Sequence, residues 1–288
     1  MSAVSAEIIA AANAHSRRLR ELLHAPEILV MPGAYDALSA RLFASIGFPA
    51  IQGTSGGIAA IHGLYDEELI ERESLAEIYR EMVGAVSVPV NADGEKGYGG
   101  PDDVAETVRQ FVAVGLAGMN LEDSDYHPHG EPMRLAPLDN QLAKIRAFME
   151  AKRELGSEFF LNARVDVFGT VREHKEGMAE AIRRGNAYAE AGADCIFIFR
   201  PGDAATIGTL VREIHAPLSV LAGEDTPSVP ELESLGVARV SYGAAFARYA
   251  ITAVQRLAET LIETGEPAPL LRESMPRGDF LGLLRGRP

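Results

Sequence analysis

VPVNADGEKGYGGPDDVAETVRQFVAVG, Val88 to Gly115, runs from a short apolar stretch through a glycine-rich polar turn into a helix-length amphipathic segment. Read alone, it is one strand-then-helix unit. The same unit recurs along nearly the whole chain. EILVMPG from Glu27 precedes YDALSARLFASIG, and PAIQGTS from Pro49 precedes RESLAEIYREMVGAV. AGMNLED from Ala117 precedes LDNQLAKIRAFMEAKREL, and FFLNARVD from Phe159 precedes GMAEAIRRGNAYAEAG. ADCIFIFRPG from Ala193, APLSVLAG from Ala216 and VARVSYG from Val237 each lead into a further helical pattern.

Eight such units in about 250 residues is the count of a closed (β/α)8 barrel, with short apolar strands that read as buried and parallel. A doubly wound sheet would more often carry GxGxxG after its first strand, and none stands there. The expected fold class is therefore α/β, a single TIM-type barrel domain spanning 1–288 with the barrel itself at about 27–264. SAEIIAAANAHSRRLRELLH before the first strand reads as a capping helix. The segment 265–288 reads as a C-terminal helical extension broken by Pro and Gly, whose Leu270, Leu271, Phe280, Leu281, Leu283 and Leu284 need cover.

The 288 residues are 47% hydrophobic and 24% charged, the balance of an ordinary soluble globular chain. A formal charge of −14 with no Lys/Arg block argues against nucleic acid or an anionic membrane as partner. No apolar run approaches a membrane span, and the N-terminus lacks the basic-then-apolar pattern of a signal peptide. The one cysteine, Cys195, excludes an intrachain disulfide and reads as a buried core thiol in a cytoplasmic protein.

In a barrel of this kind the chemistry sits where strands end. TSGG (Thr54–Gly57) follows the second strand, Asp93 and Glu95 the third, and Glu122-Asp123 end the fourth. Asn162, Arg164 and Asp166 alternate along the fifth and so share a face. Asp93, Glu95 and Glu122 are hard oxygen donors from adjacent strands, suited to Mg2+ or Mn2+. A divalent cation would turn their repulsion into attraction. Arg164 offers a planar fork to a carboxylate, and TSGG offers backbone amides to an oxyanion. Each piece also has a plainer explanation. A strand-end carboxylate can be a helix N-cap or a loop residue, Tyr35 and Asp36 read as the start of the first helix, and Arg164 with Asn162 and Asp166 can be a structural salt-bridge network. HPH (His127–His129) could suggest zinc, but without a third ligand it reads as a solvated loop.

MPGAYDALSARLFASIGFPAIQGTSGG, GLYD, NADGEKGYG, LED and NARVD, in this order and spacing, resemble the isocitrate lyase/phosphoenolpyruvate mutase superfamily over roughly residues 28–243. The resemblance implies a (β/α)8 barrel that binds Mg2+ and a 2-oxo acid or its enolate, making or breaking a C–C or P–C bond. Carried over by motif, Ser55, Gly56 and Gly57 would hold the substrate carboxylate, with Asn162 beside it. Asp93, Glu95 and Glu122 would serve the metal, and Asp66 of GLYD a metal-bound water. Arg164 would stabilise negative charge, making Arg164, Asp66 and Glu122 the catalytic set. Homo-oligomers, dimers or tetramers that exchange a C-terminal helix, are implied as well.

The departure lies between Asp123 and Pro137, where DSDYHPHGEPMRLAP stands in place of the K-K/R-C-G-H segment of the superfamily's lyases. With no cysteine acid there, decarboxylation of an oxaloacetate-like acid through a metal-stabilised enolate fits best. A methylisocitrate-type C–C lyase with another acid, P–C chemistry on a phosphonopyruvate-like acid, and a non-catalytic 2-oxo acid binding protein stand behind it. Tyr126, His127, His129 and Glu131 are the titratable residues of this loop, which could close as a lid.

Overall fold

The alternation of strand and helix folds into one parallel sheet that curls into a barrel. The computed structural model describes residues 4–125, 132–170 and 174–285. The first barrel strand comes in two pieces, β1 (Leu29–Met31) and β2 (Gly33–Ala34). Then come β3 (Ile51–Gly53), β4 (Val90–Asp93) and β5 (Gly118–Glu122). A short antiparallel ribbon, β6 (Ser124–Asp125) with β7 (Arg134–Leu135), interrupts the series. The barrel resumes with β8 (Phe160–Val165), β9 (Cys195–Ile198), β10 (Leu218–Leu221) and β11 (Arg239–Ser241).

β1 pairs with β11 and β2 with β3, so the two edges of the sheet are consecutive pieces of one strand. Pro32 sits between them. It has no N–H for the ladder, but its carbonyl accepts from Gln52 N at 3.1 Å, and the barrel closes through it. The eight expected strands are therefore all present, the first split by its proline.

Helices expected from the apolar spacing appear where expected, among them Ala37–Ile46, capped by Asp36, and Arg72–Ala85, Pro101–Ala113 and Leu138–Glu154. The N-terminal helix Ala6–Leu23 buries Leu19 and Leu23 with Leu29, Ala117 and Phe160. Ser16 Oγ donates to the carbonyl of Ala117 at 2.7 Å, and Arg20 pairs with Asp194 at 2.8 Å. Ala117, Asp194 and Leu29 all stand at strand beginnings, so this helix plugs the N-terminal end and leaves the opposite mouth open.

The barrel interior is less apolar than the strand sequences suggest. Asn91 Nδ2 donates to Gln52 Oε1 (2.9 Å) and Asn120 Oδ1 (3.0 Å), and Asn162 Nδ2 donates to Asn120 Oδ1 (2.8 Å). Arg239, fully buried, donates to Gln52. This layer forms a polar floor beneath the mouth.

The last barrel helix, Ala245–Thr264, buries Ala247 alone and leaves Tyr249, Ile251, Val254 and Ile262 in solvent, Ile262 at 89%. The extension continues as helices Ala268–Glu273 and Arg277–Leu284. The last of these lies against Ala37–Ile46 of its own barrel, where Arg41 donates to the carbonyl of Leu283 at 3.0 Å. No helix among the described residues is long and apolar enough to cross a membrane.

Candidate active site

At the C-terminal mouth lies a cavity of about 1050 Å3, the expected place for chemistry in this fold. Its lining includes Thr54, Gly56, Asp66, Asp93, Lys96, Asn120, Glu122 and Arg164. Phe197, Phe199, Arg200, Thr226, Tyr242 and Arg248 line it as well. Ser55, Gly57, Glu95 and Asn162 are not part of this lining. Asn162 is deeper for a geometric reason: it precedes Arg164 by two residues on β8, about 7 Å along a strand, and pairs with Asn120 in the polar floor. Asn120, on the neighbouring strand β5 and not among the expected site residues, lines the cavity instead.

Asp93 is the best-anchored residue of the site. Tyr79, wholly buried, donates its hydroxyl to the Asp93 carbonyl (3.1 Å) and accepts from the Asp93 N–H (2.9 Å). Gly53 makes room for that ring, since a Cβ there would come within 2.2 Å of it. The Asp93 side chain takes one hydrogen bond, from Ser55 Oγ to Oδ2 at 2.9 Å. Its Oδ1 is buried and has no hydrogen-bond partner among the described residues.

TSGG forms the start of a short helix, Ser55–Ile61, whose first amides have no carbonyl within the helix to meet. Both glycines leave room for close neighbours. A Cβ on Gly56 would lie 2.8 Å from Asp66 Oδ2, and one on Gly57 would lie 2.7 Å from Thr54 Cγ2.

Glu95 sits in the left-handed region at φ 46°. Glu68 braces it: the Glu68 N–H donates to Glu95 Oε2 (2.7 Å), and Glu68 Oε1 accepts from Lys96 N (3.1 Å) and Tyr98 N (2.8 Å). Burial, then the charges of Asp66 and Asp93, push the Glu95 carboxyl up to about 8. Asp66 stands at the mouth with part of its surface in water. The protein packed around its carboxyl, and then Asp93, lift it to about 6. Burial drives Glu122 well above the carboxylate range, against the pull of Arg164.

Arg164 bonds Glu122 Oε2 at 2.8 Å and Asp166 Oδ1 at 2.7 Å. Burial disfavours its charge, but these two carboxylates outweigh it and raise the guanidinium pKa further. Behind them, Asp123 Oδ1 accepts from Asp166 N (2.8 Å), while its Oδ2 accepts from Arg184 (2.9 Å) and Tyr188 (2.7 Å). Arg184 also donates to the carbonyl of Ala136 at 2.8 Å, tying down the return of the strand-four loop.

The expected metal set Asp93, Glu95 and Glu122 is thus brought to one mouth, but not as a cage. Among the described residues no three His, Cys, Asp or Glu side chains are gathered to hold a metal. Their mutual repulsion is relieved by a separate donor for each: Ser55, the Glu68 N–H and Arg164. Mg2+ does not require a cage, since it is commonly bound by one or two carboxylates and keeps several waters. The unpartnered Asp93 Oδ1 fits that role. Tyr126, His127, His129 and Glu131 lie outside the described residues. Cys195 is fully buried in β9, where burial pushes its thiol up to about 12. Sequence reasoning passed over Tyr79, Glu68, Lys96 and Arg184. Only the second acidic residue after Asp66, in DEE, hinted at one of them.

The family model for phosphoenolpyruvate phosphomutase matches residues 19–262. The 2,3-dimethylmalate lyase of Eubacterium barkeri is 32% identical over 227 residues, 76% of each chain. The phosphoenolpyruvate phosphomutase of Streptomyces hygroscopicus is 34% identical over 77% of this chain and 72% of its own. Among solved structures, oxaloacetate acetylhydrolase in complex with 3,3-difluorooxalacetate superimposes with a TM-score of 0.81 at 27% identity, covering 93% of each chain.

Proposed function

The chain belongs to the phosphoenolpyruvate phosphomutase family, within the isocitrate lyase/phosphoenolpyruvate mutase superfamily, and from that premise we propose that it is a divalent-metal-dependent carbon–carbon lyase. Its substrate is a small 2-oxo acid, and its favoured reaction is decarboxylation of an oxaloacetate-like acid through an enolate. The observation that carries this proposal is that Asp93, whose buried Oδ1 has no partner among the described residues, and Arg164 line one cavity.

Asp93 would hold Mg2+, with Glu95 and Glu122 as the further acidic residues serving the ion. When bound, such an ion supplies Lewis-acid stabilisation of charge on the substrate oxygens. The chain's own residues do the rest. Ser55 and the amides of Gly56 and Gly57 receive the substrate carboxylate. Arg164, fixed by Glu122 and Asp166, presents donors to charge that develops on the 2-oxo oxygen, the preorganised arrangement that lowers such barriers most. Asp66, lifted to about 6, can carry a proton at the mouth for return to carbon.

The lone cysteine supports a route without a thiol acid. Cys195 is sealed in the barrel wall and cannot act as the lyase cysteine of the superfamily does. Its reduced, buried state also suits a cytoplasmic enzyme. The apolar residues left in solvent on Ala245–Thr264 and the tail suit a homo-oligomer, dimer or tetramer, in which a second copy covers or exchanges this segment.

Pyruvate release from oxaloacetate tests the assignment, with Mg2+, with EDTA, and against a metal-only blank. Mg2+-dependent turnover above the blank is expected. Melting shifts with 2-oxo acids but no turnover would instead make this a 2-oxo acid binding protein.

A further inference from the structure

Beyond β9 the chain runs Phe199-Arg200-Pro201-Gly202, and Arg200 takes a left-handed conformation with φ 48°. Two things oppose it. A Cβ crowds this region in any residue but glycine, and the ring of Pro201 drives the residue before it toward extended backbone. Residues held so against their preference gather at ligand clamps. What the turn achieves here is placement. Arg200 lines the same cavity as Arg164, with its guanidinium carbon 5.3 Å from the centre of the Phe199 ring. The guanidinium carbon of Arg164 stands 4.3 Å from that same centre. The two cations are therefore no more than about 10 Å apart, the sum of those distances.

Their surroundings differ. Arg164 is bonded to Glu122 and Asp166. Arg200 has only the ring: no carboxylate or other acceptor bonds it among the described residues. A dianion bridging them would have a guanidinium to bond at each end.

Resting on the 2-oxo acid assignment above, we propose that Arg200 holds the second carboxylate of a short 2-oxo dicarboxylate, of four or five carbons, whose 2-oxo end lies at Arg164. A four-carbon diacid spans roughly 6 Å between its terminal oxygens by ordinary bond lengths. A charge-assisted hydrogen bond adds about 2.8 Å at each end. A bent diacid of that length fits between the two guanidinium groups, whereas a much longer chain has to fold back.

In decarboxylation the carboxylate at Arg200 is the one that leaves. The C3–C4 bond breaks and releases CO2, its electron pair becomes the C2–C3 double bond as charge moves onto the C2 oxygen, and C3 then takes up a proton to give pyruvate. The ion pair with Arg200 is strongest before that bond breaks and fades as neutral CO2 forms. Arg200 therefore contributes to substrate binding and selection, and not to lowering the barrier.

The test compares dissociation constants of pyruvate and 2-oxoglutarate with Mg2+ in the parent, Arg200→Gln and Arg200→Lys, alongside steady-state kinetics on oxaloacetate. Arg200→Gln is expected to weaken 2-oxoglutarate about 10- to 100-fold, the loss of a charged hydrogen bond, with pyruvate within about twofold. KM for oxaloacetate should rise by a similar factor with kcat at or above the parental value, because the lost ion pair belongs to the ground state, with Arg200→Lys in between. Arg200→Gly, which suits the left-handed turn, should show the same loss and so exclude backbone strain as its cause. If the parent binds both acids and Arg200→Gln leaves their ratio unchanged, the Arg200 assignment is overturned alone. If the parent binds neither, the 2-oxo acid assignment falls and takes this one with it.

Discussion

The guanidinium of Arg164 lies 2.8 Å from Glu122 Oε2, at the tops of β5 and β8, where the register sets Glu122 directly beside Arg164. This pair joins the carboxylate half of the mouth to the cationic half. It engages the arginine's planar fork, and not merely its charge.

Arg164→Lys is accordingly expected to be severe. Lysine keeps the charge but cannot bond Glu122, Asp166 and an oxyanion together. A loss of about 100-fold or more in kcat/KM is expected, the scale of removing a preorganised donor. Near-parental kinetics would make Arg164 a structural ion-pair residue.

Tyr79→Phe removes one hydroxyl and leaves both the N–H and the carbonyl of Asp93 without their buried partner. A destabilisation of about 1–3 kcal/mol is expected from urea unfolding, together with weaker Mg2+ binding. If stability and metal affinity both stayed at the parental values, Asp93 would owe its position to something else.

How much of this was legible beforehand divides along physical lines. The strands and helices were, because apolar period and helix-breaking residues are local properties. Pro32 splitting the first strand and the Ser55–Ile61 helix were finer than that pattern. Asp93, Glu122, Arg164 and the TSGG glycines were visible because strand ends are where this fold gathers chemistry. The depth of Asn162, paired with Asn120 in the floor, was not legible, because alternation fixes a face but not a depth. Tyr79, Glu68 and Arg200 could not be found, since each acts through a contact that chain closure creates. The tail was expected to need cover. Its folding against Ala37–Ile46 of its own barrel is a tertiary choice that local pattern does not encode.

The raised Glu95 carboxyl gives a pH signature. Burial and its acidic neighbours lift it to about 8 in the folded state, while the unfolded chain releases that proton near the ordinary value of 4.5. Between these limits the folded state binds more protons, so stability without metal falls as pH rises from about 4.5 to 8, by at most on the order of a few kcal/mol. Metal ligands must be deprotonated, so the melting shift given by Mg2+ should grow over the same range. Melting curves at pH 5, 6.5 and 8 with EDTA or Mg2+ check both signs. A Mg2+ shift that shrinks with pH would contradict the assignment.

Truncation after Gly265 removes Leu270, Leu271, Phe280 and Leu284 but leaves the barrel strands untouched. If a second copy covers this segment, the mass seen by light scattering should change. A soluble monomer both before and after truncation would refute the assembly.

Asp93→Ala should leave the fold intact and weaken Mg2+-dependent binding of 2-oxo acids at least about 10- to 100-fold, since even groups one step removed from a metal matter that much. Titration of pyruvate into parent and variant with Mg2+ shows it. Equal affinities would remove Asp93 from the metal site.

The central claim is that this mouth stabilises an enolate next to a carboxylate, and hydrogen exchange at the pyruvate methyl group tests it most directly. A decarboxylase that protonates the pyruvate enolate must also catalyse the reverse proton removal, whatever the tail of its natural substrate. In D2O with Mg2+, proton NMR should show the methyl signal of pyruvate fading with the parent protein faster than with Mg2+ alone. It should persist with EDTA or with the Asp93→Ala variant. A methyl signal that survives equally in all four samples would contradict the account.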